Sequence, residues 1–340
     1  MPTTVYDIAR KAGVSAATVS RVLNGRGGAS DATVEKIHRI AEHLRFRPKT
    51  VLNRRLSVVV PVPSKPHFFA SYFLGQMLSG VSDVLFLAGC ELRFLPFAWH
   101  DPAVAADPMR VLKVRHADAA VFLYVTEDHA YVDRVARAGF PHVAVSAGFS
   151  APHVYMVDCD HYQSTYRAFE YLFDLGHRNI GIICAPVKFP AHAERLRAYR
   201  AACAKYGGPA DDRFVVFAGG TGSEDGHVAA MRLLSLRKRP TAVFASNDNI
   251  ALGVFNAARK LGLHIPQGLS VVGFDDYEFC AHLNPPLTTV RQPIYEIGRA
   301  AAESVVRQMR GEKDIPRHVI IPAELIVRES AAPPGKNRHG

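Results

Sequence analysis

Residues 5–25 read VYDIARKAGVSAATVSRVLNG, and this stretch decides how the N-terminal part of the chain folds. Asp7 brings a carboxylate to the first turn of a predicted helix, where the helix dipole favours negative charge. Gly13 is typical of the position that ends a helix, and Ser15 is a preferred cap for a second helix that runs to about Asn24. The pattern therefore predicts a helix-turn-helix.

A third helix is predicted directly after this pair. Ser30 is its expected cap and Asp31 stands in its first turn, and apolar residues then recur at spacings of three or four. Three such helices can close a small core, whose expected members are Ile8, Val14, Val19, Val22, Val34, Ile37 and Leu44. The outline alone leaves an ordinary helical subdomain as the alternative to a DNA-binding one.

The outward face of the second helix favours DNA. When Val19, Val22 and Leu23 face inward, small and hydroxyl-bearing residues remain outside or at the N-terminus. These residues are Ser15, Ala16, Ala17, Thr18, Ser20 and Arg21. Such a face lets a helix approach the major groove closely, with hydroxyls for phosphates or bases and methyl groups for thymine. Arg21 and Asn24 can reach phosphates or bases, and Tyr6 on the first helix can reach the DNA backbone.

Positive charge is concentrated in the same part of the chain. Residues 1–56 contain 11 Lys and Arg against 4 Asp and Glu, which gives a net charge of +7, whereas the whole chain of 340 residues carries +10. A local excess of this kind fits a polyanion such as DNA, although a basic run also occurs on ordinary solvated surfaces.

Several classes of protein do not fit this sequence. No apolar run approaches the roughly 18–20 residues of a membrane span, and the first residues lack the pattern of a secretory signal, so we expect a cytoplasmic protein with no membrane partner. The five cysteines are odd in number and widely spaced, which favours free buried thiols. Because phosphate-loop, serine hydrolase and zinc protease motifs are also missing, we expect no catalysis, no cofactor and no metal.

From about Leu56 onward, apolar runs alternate with amphipathic helices, as in LSVVVPV, GIICAP, AVFAS and LSVVGFDD. This alternation predicts parallel α/β sheets, whose binding residues follow the carboxyl ends of the strands. The polar residues in these positions are Ser64, Ser146, Asn247, Asp248, Asp275 and Asp276. For the adjacent acids Asp275 and Asp276, helix capping remains the alternative to ligand binding.

Both parts of the chain resemble one family. Residues 4–48, with YDIARKAGVSAATVSRVLNG, resemble the DNA-binding headpiece of the lactose repressor family of transcription regulators. Segments as far as about Ser330, among them DLGHRNIGII and RPTAVFASNDNIALGVFNAARKLGLHIP, resemble the effector-binding core of that family. The resemblance implies a regulator, most often a repressor, that binds a palindromic double-stranded DNA operator as a homodimer and responds to a small molecule.

The resemblance also implies the domain organisation. An all-α helix-turn-helix headpiece at 1–48 and a shortened hinge at 49–56 precede a two-lobed α/β core at 57–330, which has parallel sheets and the fold of periplasmic sugar-binding proteins. Lobe 1 is expected at about 57–160 and 290–320, and lobe 2 at about 161–289 and 321–330, joined by three crossovers. The tail at 331–340 is rich in Pro, Gly and charge, so we expect it to be disordered.

The resemblance carries over site residues position by position. The DNA contacts of the family fall on Tyr6, Ser15, Ala16, Ala17, Thr18, Ser20, Arg21, Asn24 and Ser30, and Ala16 and Ala17 match the main readers of operator sequence. Its ligand positions fall on Phe68 or Phe69, Ser146, Asp158, Arg195, Asn247 and Asp275. Carboxylates accept sugar hydroxyls, Arg and Asn donate, and Phe covers an apolar ring face. A sugar-like effector is therefore implied, and because Arg195 also suits a carboxylate or phosphate, a sugar acid or sugar phosphate stays open.

The hinge departs from the pattern of the family, which carries a Leu seven residues after a Pro. Here Arg55 stands seven residues after Pro48, and almost no spacer precedes the strand that begins near Leu56. We expect Arg54 and Arg55 to enter the minor groove in place of an intercalating Leu. A shift that brings Leu52 or Leu56 to the DNA is the alternative.

The effector pocket departs from the family at one position. Most members carry an aromatic residue five positions before the Gly that matches Gly226, whereas this chain has Thr221. We expect a more polar or roomier pocket on that side, with Phe217 or Phe189 as possible substitutes. The competing hypothesis is that the core belongs to a solute-binding protein of a transporter. Such a protein must be exported, and neither the missing secretory signal nor the basic headpiece fits that hypothesis.

Overall fold

A computed structural model of the 340-residue chain describes residues 5–23, 29–44, 56–62, 72–96, 106–123, 130–145, 152–187, 189–208 and 212–335, without the side chains of Tyr6 and Glu42. The chain divides into two compact units, Met1–Leu56 and Ser57–Gly340. Among the described residues, no helix has both the length and the apolar character that crossing a lipid bilayer requires.

Three helices form the first unit: α1 (Val5–Ala12), α2 (Ala16–Leu23) and α3 (Asp31–His43). Gly13 adopts a positive φ of 70°, and the amides of Gly13 and Val14 donate to the carbonyl of Ala9 at 3.0 and 3.2 Å. This closure ends α1, and a residue without a side chain tolerates it best. Ser15 then caps α2 by accepting the Thr18 amide at its hydroxyl, at 3.1 Å. The predicted helix-turn-helix is confirmed.

The core of this unit is the one that the apolar spacing predicts. Ile8, Val19 and Ile37 have no exposed surface, and Ala9, Ala12, Val22 and Ala41 are also buried. Val14, Val34 and Leu44 pack against this cluster from its edge. The three helices therefore share one small apolar core, as expected for amphipathic helices of this length.

The second unit alternates strands with helices. In chain order these are β1 (Ser57–Val62), α4 (Tyr72–Leu87), β2 (Glu91–Pro96), α5 (Pro108–Val114), β3 (Ala119–Phe122), α6 (Ala130–Arg137), β4 (His142–Val145), β5 (Met156–Cys159), α7 (His161–Asp174), β6 (Ile180–Cys184), α8 (Pro190–Tyr206), β7 (Val215–Phe217), α9 (Ser223–Leu234), β8 (Ala242–Ala245), α10 (Asp248–Lys260), β9 (Ser270–Asp275), β10 (Thr288–Arg291), α11 (Ile294–Met309), β11 (His318–Ile321) and β12 (Glu324–Ile326).

Two six-stranded sheets organise these elements into two lobes. The sheet of lobe 1 has the order β11-β5-β4-β3-β1-β2 and is parallel throughout. The sheet of lobe 2 has the order β12-β10-β9-β8-β6-β7, and only β12 runs antiparallel to its neighbour. Most strands are buried on both faces because helices cover both sides of each sheet. The two-lobed α/β core is therefore confirmed.

The chain passes between the lobes after β5, after β10 and after β11, so the three crossovers are present. Strand pairing moves two of the expected lobe limits by one or two residues. β10 pairs with β9, which places 290–291 in lobe 2, and β11 pairs with β5 as far as Ile321, which places that residue in lobe 1. These limits are set by the hydrogen bonds between strands, which local sequence motifs do not predict.

The expected disorder of the tail at 331–340 is wrong for its first half. Residues 331–335 are ordered against lobe 2, and 336–340 lie outside the described residues. His177 Nε2 donates to the carbonyl of Ala332 at 2.9 Å, and the Ala332 amide donates to the hydroxyl of Ser270 at 3.1 Å. The Pro, Gly and charge content predicted disorder because such a segment buries little apolar surface. Residues 331–335 are ordered instead by hydrogen bonds that satisfy buried polar groups of lobe 2.

Two glycines allow α4 and α11 to pack closely in lobe 1. A Cβ on Gly298 would overlap the carbonyl oxygen of Met77, and one on Gly80 would overlap that of Tyr295. Gly75 lies on the same helix as Gly80, but a Cβ there would meet nothing within 4 Å. The helix pair therefore depends on glycine at its contact point and not elsewhere.

We expect Gly298→Ala to lower the free energy of unfolding by about 1–3 kcal/mol, because the added methyl group forces the two helices apart. Gly75→Ala is the matched control, and it is expected to be neutral or to stabilise by up to about 1 kcal/mol through helix propensity. Urea unfolding of the two variants measures both values. Equal effects at the two positions would contradict the close packing.

Candidate operator and effector sites

The N-terminal end of α2 presents a surface of small side chains. Ser15, Ala17 and Arg21 are exposed, whereas Thr18 and Ser20 are partly buried. The hydroxyls of Ser15 and Thr18 lie 2.9 Å apart, so the capping pair stands at the same end of the helix as Ala17. Ala16, the first residue of α2, is also partly buried and packs against the headpiece core.

Ser30 occupies the predicted cap of α3. Its carbonyl accepts the amides of Thr33 and Val34 at 2.9 Å each, and the hydroxyls of Ser30 and Thr33 lie 2.9 Å apart. The remaining DNA-contact predictions concern Asn24, Arg54 and Arg55, which lie outside the described residues, and the side chain of Tyr6, which is not described.

Four predicted effector residues are described, and all four are buried. Asp158 lies near the carboxyl end of β5 in lobe 1, whereas Asp275 ends β9 and Asn247 follows β8 in lobe 2. Arg195 projects from α8, the helix after β6. Parallel strands gather such residues at one edge of each sheet. Phe68, Phe69 and Ser146 lie outside the described residues.

Arg195 is the cation of this group. Its guanidinium carbon lies 3.6 Å above the ring of Phe274, Nη1 donates to the carbonyl of Ser246, and Nη2 lies 3.2 Å from His161 Nδ1. Among the described residues, Nε is buried and has no hydrogen-bond partner. Burial lowers the pKa of Arg195, while the charge of Asp275 opposes that shift. The guanidinium thus has one buried donor without a partner among the described residues.

His161 connects Arg195 to Asp158. Arginine only donates, so His161 Nδ1 is the unprotonated nitrogen that accepts from Nη2, and its Nε2–H donates to Asp158 Oδ1 at 3.0 Å. His192 Nδ1 lies 3.5 Å from Nη1, and burial together with Arg195 holds the pKa of His192 well below its usual value. Imidazole rings therefore flank the guanidinium, and the charges of Asp275 and Asp158 act on it from longer range.

Gln292 joins the two lobes beside Asp275. It stands in the crossover between β10 and α11, and its Nε2 donates to Asp275 Oδ1. Its Oε1 accepts from the thiol of Cys159, which ends β5 of lobe 1, at 3.3 Å. Burial raises the pKa of the Cys159 thiol well above its usual value, so the thiol acts as a donor. The side-chain amide of Gln292 thus connects Asp275 of lobe 2 to Cys159, where the first crossover begins.

Burial also raises the pKa of Asp275, to about 7, and the charge of Asp248 acts in the same direction. The charge of Arg195 and the hydrogen bond from Gln292 oppose this shift. The carboxyl group is fully buried, so its charged form loses hydration that these partners only partly replace. Asp275 therefore changes its charge near neutral pH.

Two further polar residues at the strand ends, Asn247 and Asp276, have structural partners. Asn247 Oδ1 caps α10 by accepting the Ile250 amide at 2.7 Å, and its Nδ2 donates to the carbonyl of Thr221 at 3.2 Å. Asp276 forms ion pairs with Arg291 and Arg328, both at 2.7 Å, so it does not cap a helix. Asn247 therefore fixes the loop that carries Thr221, at the position where the family pattern has an aromatic residue.

Three potential metal ligands meet at the first crossover, although the sequence predicted no metal site. A carboxylate oxygen of Asp158, the sulfur of Cys159 and a ring nitrogen of His161 lie within 4.8 Å of one another. The adjacent Arg195 guanidinium repels a cation, and the hydrogen bonds described above already engage all three groups. The cluster is therefore better described as part of the polar network around Arg195.

Two surface cavities lie in lobe 1, away from this network. One, of about 660 Å³, lies between α4 and α11 and includes the exposed Phe86 and Leu87. The other, of about 700 Å³, lies beside His142 and Arg317. Neither contains any of the predicted effector residues.

Comparison with known proteins decides the family. Residues 4–49 match bacterial regulatory proteins of the lacI family, and residues 169–331 match a periplasmic binding protein-like domain. The HTH-type transcriptional regulator CelR of Thermobifida fusca is 32% identical over 96% of this chain and 98% of CelR. The HTH-type transcriptional regulator DegA of Bacillus subtilis is 30% identical over 98% of this chain and 99% of DegA. The chain belongs to the lacI family of transcriptional regulators.

Solved structures agree with this membership. The lacI-family regulator described here is similar to the CelR–cellobiose complex, with a TM-score of 0.73 and 30% identity over 96% of this chain and 99% of that one. It also shares the fold of the lac repressor dimer bound to operator, with a TM-score of 0.72 and 23% identity over 98% and 100%. The named relatives are transcriptional regulators and repressors rather than enzymes, which confirms the predicted functional class.

Four residues of the polar network around Arg195 were not among the predicted site residues: His161, His192, Phe274 and Gln292. His161 stands only three residues after Asp158, and His192 three residues before Arg195, so proximity to predicted residues was an available signal. Phe274 directly precedes Asp275, so it gave the same signal, whereas Gln292 gave none, because its contact with Cys159 joins positions that are distant in sequence.

We expect Asp275→Asn to stabilise this regulator in a pH-dependent way. Because the folded pKa of about 7 exceeds the usual 3.8, the native state binds the proton more tightly, and stability falls as pH rises from about 4 to about 7. Asparagine removes that loss, by on the order of 2 kcal/mol at pH 8. Thermal unfolding from pH 5 to 8 should show the gain shrinking towards pH 5. A gain that is constant with pH would contradict the raised pKa.

Proposed function

We propose that this lacI-family regulator acts in the cytoplasm, where it binds a palindromic operator as a homodimer, and that a small sugar-like effector between its core lobes controls its DNA affinity. The observation that carries the proposal is the exposed N-terminal end of α2, with Ser15, Ala17 and Arg21, in a unit of net charge +7. A face of this kind fits direct contact with base edges in the major groove.

The chemistry of that face supports sequence-specific readout. Ala17 can contact a thymine methyl group, and the paired hydroxyls of Ser15 and Thr18 can donate to phosphates or bases. Arg21 supplies a phosphate contact that does not depend on sequence. Since Ala16 is partly buried, Ala17 is the better candidate of the two alanines for reading the operator.

A homodimer is proposed because a single recognition helix is too short to contact a whole operator. One recognition helix of this length covers only a half-site, and two-fold symmetric pairs of such helices read palindromes. Arg54 and Arg55 are proposed to contact the minor groove between the half-sites.

The polar network around Arg195 supports an effector rich in hydroxyl groups. The free Nε donor of Arg195 fits a ligand oxygen, and the nearby acids Asp158 and Asp275 fit hydroxyl donors. Two carboxyl groups near one guanidinium disfavour a second anion, so a neutral sugar is proposed ahead of a sugar acid or sugar phosphate. CelR, which shares the fold over nearly its full length, forms a complex with the sugar cellobiose.

Regulation requires that the effector bind two states of the core unequally. A difference of about 1–3 kcal/mol between the DNA-binding and the DNA-free state is typical of such coupling. The three crossovers connect the two lobes that contribute the effector residues, so a ligand between the lobes contacts groups that change their relative position when the lobes move.

Selection of double-stranded DNA from a random pool by the full-length protein tests the proposal. The experiment uses about 150 mM salt, which suppresses non-specific phosphate binding. Enrichment of one palindrome is expected, and repeating the selection with cellobiose, ribose and gluconate detects an effector that is needed for binding. Failure to enrich any sequence under all of these conditions would contradict the operator-binding proposal.

Substitutions in α2 should separate affinity from specificity. Arg21→Ala removes a phosphate contact, so we expect weaker binding to every DNA sequence. The slope of log affinity against log salt concentration should become smaller by about one. Ala17→Gln introduces an amide that can hydrogen-bond adenine, so we expect a changed preferred base at about the same salt dependence. Binding isotherms at several salt concentrations and a repeated selection measure the two effects. The assignment of Ala17 fails if Ala17→Gln selects the original sequence.

Substitution of Arg195 should separate the effector response from DNA binding. We expect Arg195→Ala to keep operator affinity within about threefold while it abolishes sugar binding, because the guanidinium lies only in the core network. Calorimetry with the selected sugar and operator titrations measure the two properties. Circular dichroism serves as the folding control, and retained sugar binding in a folded variant would exclude Arg195 from the site.

A further inference from the structure

Two loops of lobe 2 carry a local excess of positive charge. They lie at the amino edge of the sheet, where the parallel strands begin: the loop before β6 reads LGHRN (175–179), and the loop before β8 reads SLRKRPT (235–241). Their exposed cations are Arg178, Arg237, Lys238 and Arg239, and neither loop contains an acid. We refer to these four residues as the basic edge.

The two loops lie side by side because β6 and β8 are neighbours in the sheet. The Thr241 amide donates to the carbonyl of Asn179 at 2.8 Å, and the Thr241 hydroxyl oxygen lies 2.8 Å from His177 Nδ1. Neighbouring strands are about 5 Å apart, so the bonded loops form one surface. The basic edge is therefore a continuous feature of the sheet, from Arg178 to Arg239.

The positive charge of the basic edge is not balanced by ion pairs. No described residue pairs an acid with any of its four cations, and Arg178 uses Nη1 to donate to the carbonyls of Phe173 and His177, at 3.0 and 2.9 Å. Asp174 at the end of α7 is the acid nearest to either loop in sequence, and it offsets at most one of the four charges. The surface therefore keeps a net positive charge.

The ordered tail runs along the same edge of lobe 2. The carbonyl of Ala332 accepts from His177, and a Cβ on Gly176 would lie 3.7 Å from the ring of Pro334. The sequence that follows Gly335 reads KNRHG, which contains a Lys and an Arg and no acid. The chain thus continues from the basic edge with further positive charge.

The basic edge lies at the end of the core that is remote from the hinge. The carboxyl edges of the two sheets adjoin, because Gln292 bonds both Cys159 at the end of β5 and Asp275 at the end of β9. The amino edges therefore point away from each other, and Ser57, which follows the hinge, begins β1 at the amino edge of lobe 1. A partner of the basic edge thus binds far from the point where the headpiece is attached.

The chemistry of the basic edge fits the phosphate backbone of duplex DNA. A duplex carries one negative charge per about 1.7 Å of its axis, and contacts with it need cations and no apolar anchor. The two loops expose no large apolar side chain: Leu175 and Leu236 are partly buried, and Pro240 is buried. A protein partner requires such anchors at the centre of its interface. A lacI-family regulator also meets DNA at high local concentration while its headpiece is bound.

We propose that the basic edge of lobe 2 binds the backbone of a second DNA duplex, so that one regulator connects two segments of DNA. The contact is independent of sequence, because backbone phosphates carry no base information. It adds to operator binding by the headpiece and does not require the effector. With four phosphate contacts, the affinity for the second duplex should fall by about 100-fold between 50 and 200 mM salt.

A triple variant of the full-length protein tests the basic edge, with Arg237→Gln, Lys238→Gln and Arg239→Gln. Arg178 stays in place because its hydrogen bonds close the end of α7. The matched control removes three cations from α8 of the same lobe, with Arg197→Gln, Arg200→Gln and Lys205→Gln. Each control cation forms an ion pair with an acid, at 2.5 to 3.9 Å. The two variants therefore lose the same net charge, but only the first loses unpaired charge.

The proteins are saturated with excess unlabelled operator, and a labelled random duplex of about 20 base pairs is then titrated at about 50 mM salt, with fluorescence anisotropy as the readout. We expect the wild type and the control to bind the labelled duplex alike, and the triple variant to bind it at least tenfold more weakly, because three phosphate contacts are lost. Operator affinity and circular dichroism should be unchanged in both variants. Equal binding by the triple variant and the wild type, or no binding by the wild type, overturns the proposal.

A labelled polyglutamate peptide in place of the second duplex tests for an acidic protein partner. Weaker binding of the peptide than of the duplex supports DNA as the partner, whereas tighter binding that the triple variant loses overturns that assignment. If the selection yields no operator, the free proteins are titrated with the labelled duplex instead. The triple variant is then expected to bind fewer duplexes per chain than the control, and equal numbers overturn the proposal.

Discussion

The buried guanidinium of Arg195, which forms no ion pair with a carboxylate among the described residues, governs the polar interior of the core. Arg195 lies on the ring of Phe274, and the described groups that accept its hydrogen bonds are a carbonyl and two histidine nitrogens. Burying a cation is costly unless its donors are satisfied, so imidazole nitrogens and a carbonyl accept from the guanidinium, while Nε has no partner among the described residues. The acids Asp158 and Asp275 act on this charge at longer range; Asp158 lies near the end of β5, where the first crossover begins, and Asp275 ends β9.

This arrangement couples binding chemistry to the connection between the lobes. Cys159 ends β5, where the first crossover begins, and Gln292 lies in the second crossover, so the hydrogen bond between them links the two passages of the chain. Because Gln292 also donates to Asp275, a ligand that engages this acid acts on a group already linked to the hinge of the core. Energetic coupling of effector and DNA sites requires such a two-state element, since a ligand that contacts both states equally shifts nothing.

The headpiece depends on a different constraint, the close approach of a helix to DNA. Gly13 and the cap at Ser15 set the angle between α1 and α2, and the core from Ile8 to Ala41 holds that angle with few residues. Small residues at the start of α2 keep the backbone accessible. The partly buried Ala16 shows that even in this short helix the apolar core takes part of the predicted reading face.

The sequence alone determined the local elements of this protein. The helix-turn-helix, its core, the alternation of strands and helices and the strand-end acids follow from caps, glycines and apolar spacing, which act over a few residues. Tertiary structure decided what depends on distant pairs: the lobe limits at Arg291 and Ile321, the ordered residues 331–335, and the contacts that bring His161, Phe274 and Gln292 into the polar network around Arg195. Hydrogen bonds between strands and burial of charge create these features, and no local pattern encodes which remote partner will satisfy a buried polar group.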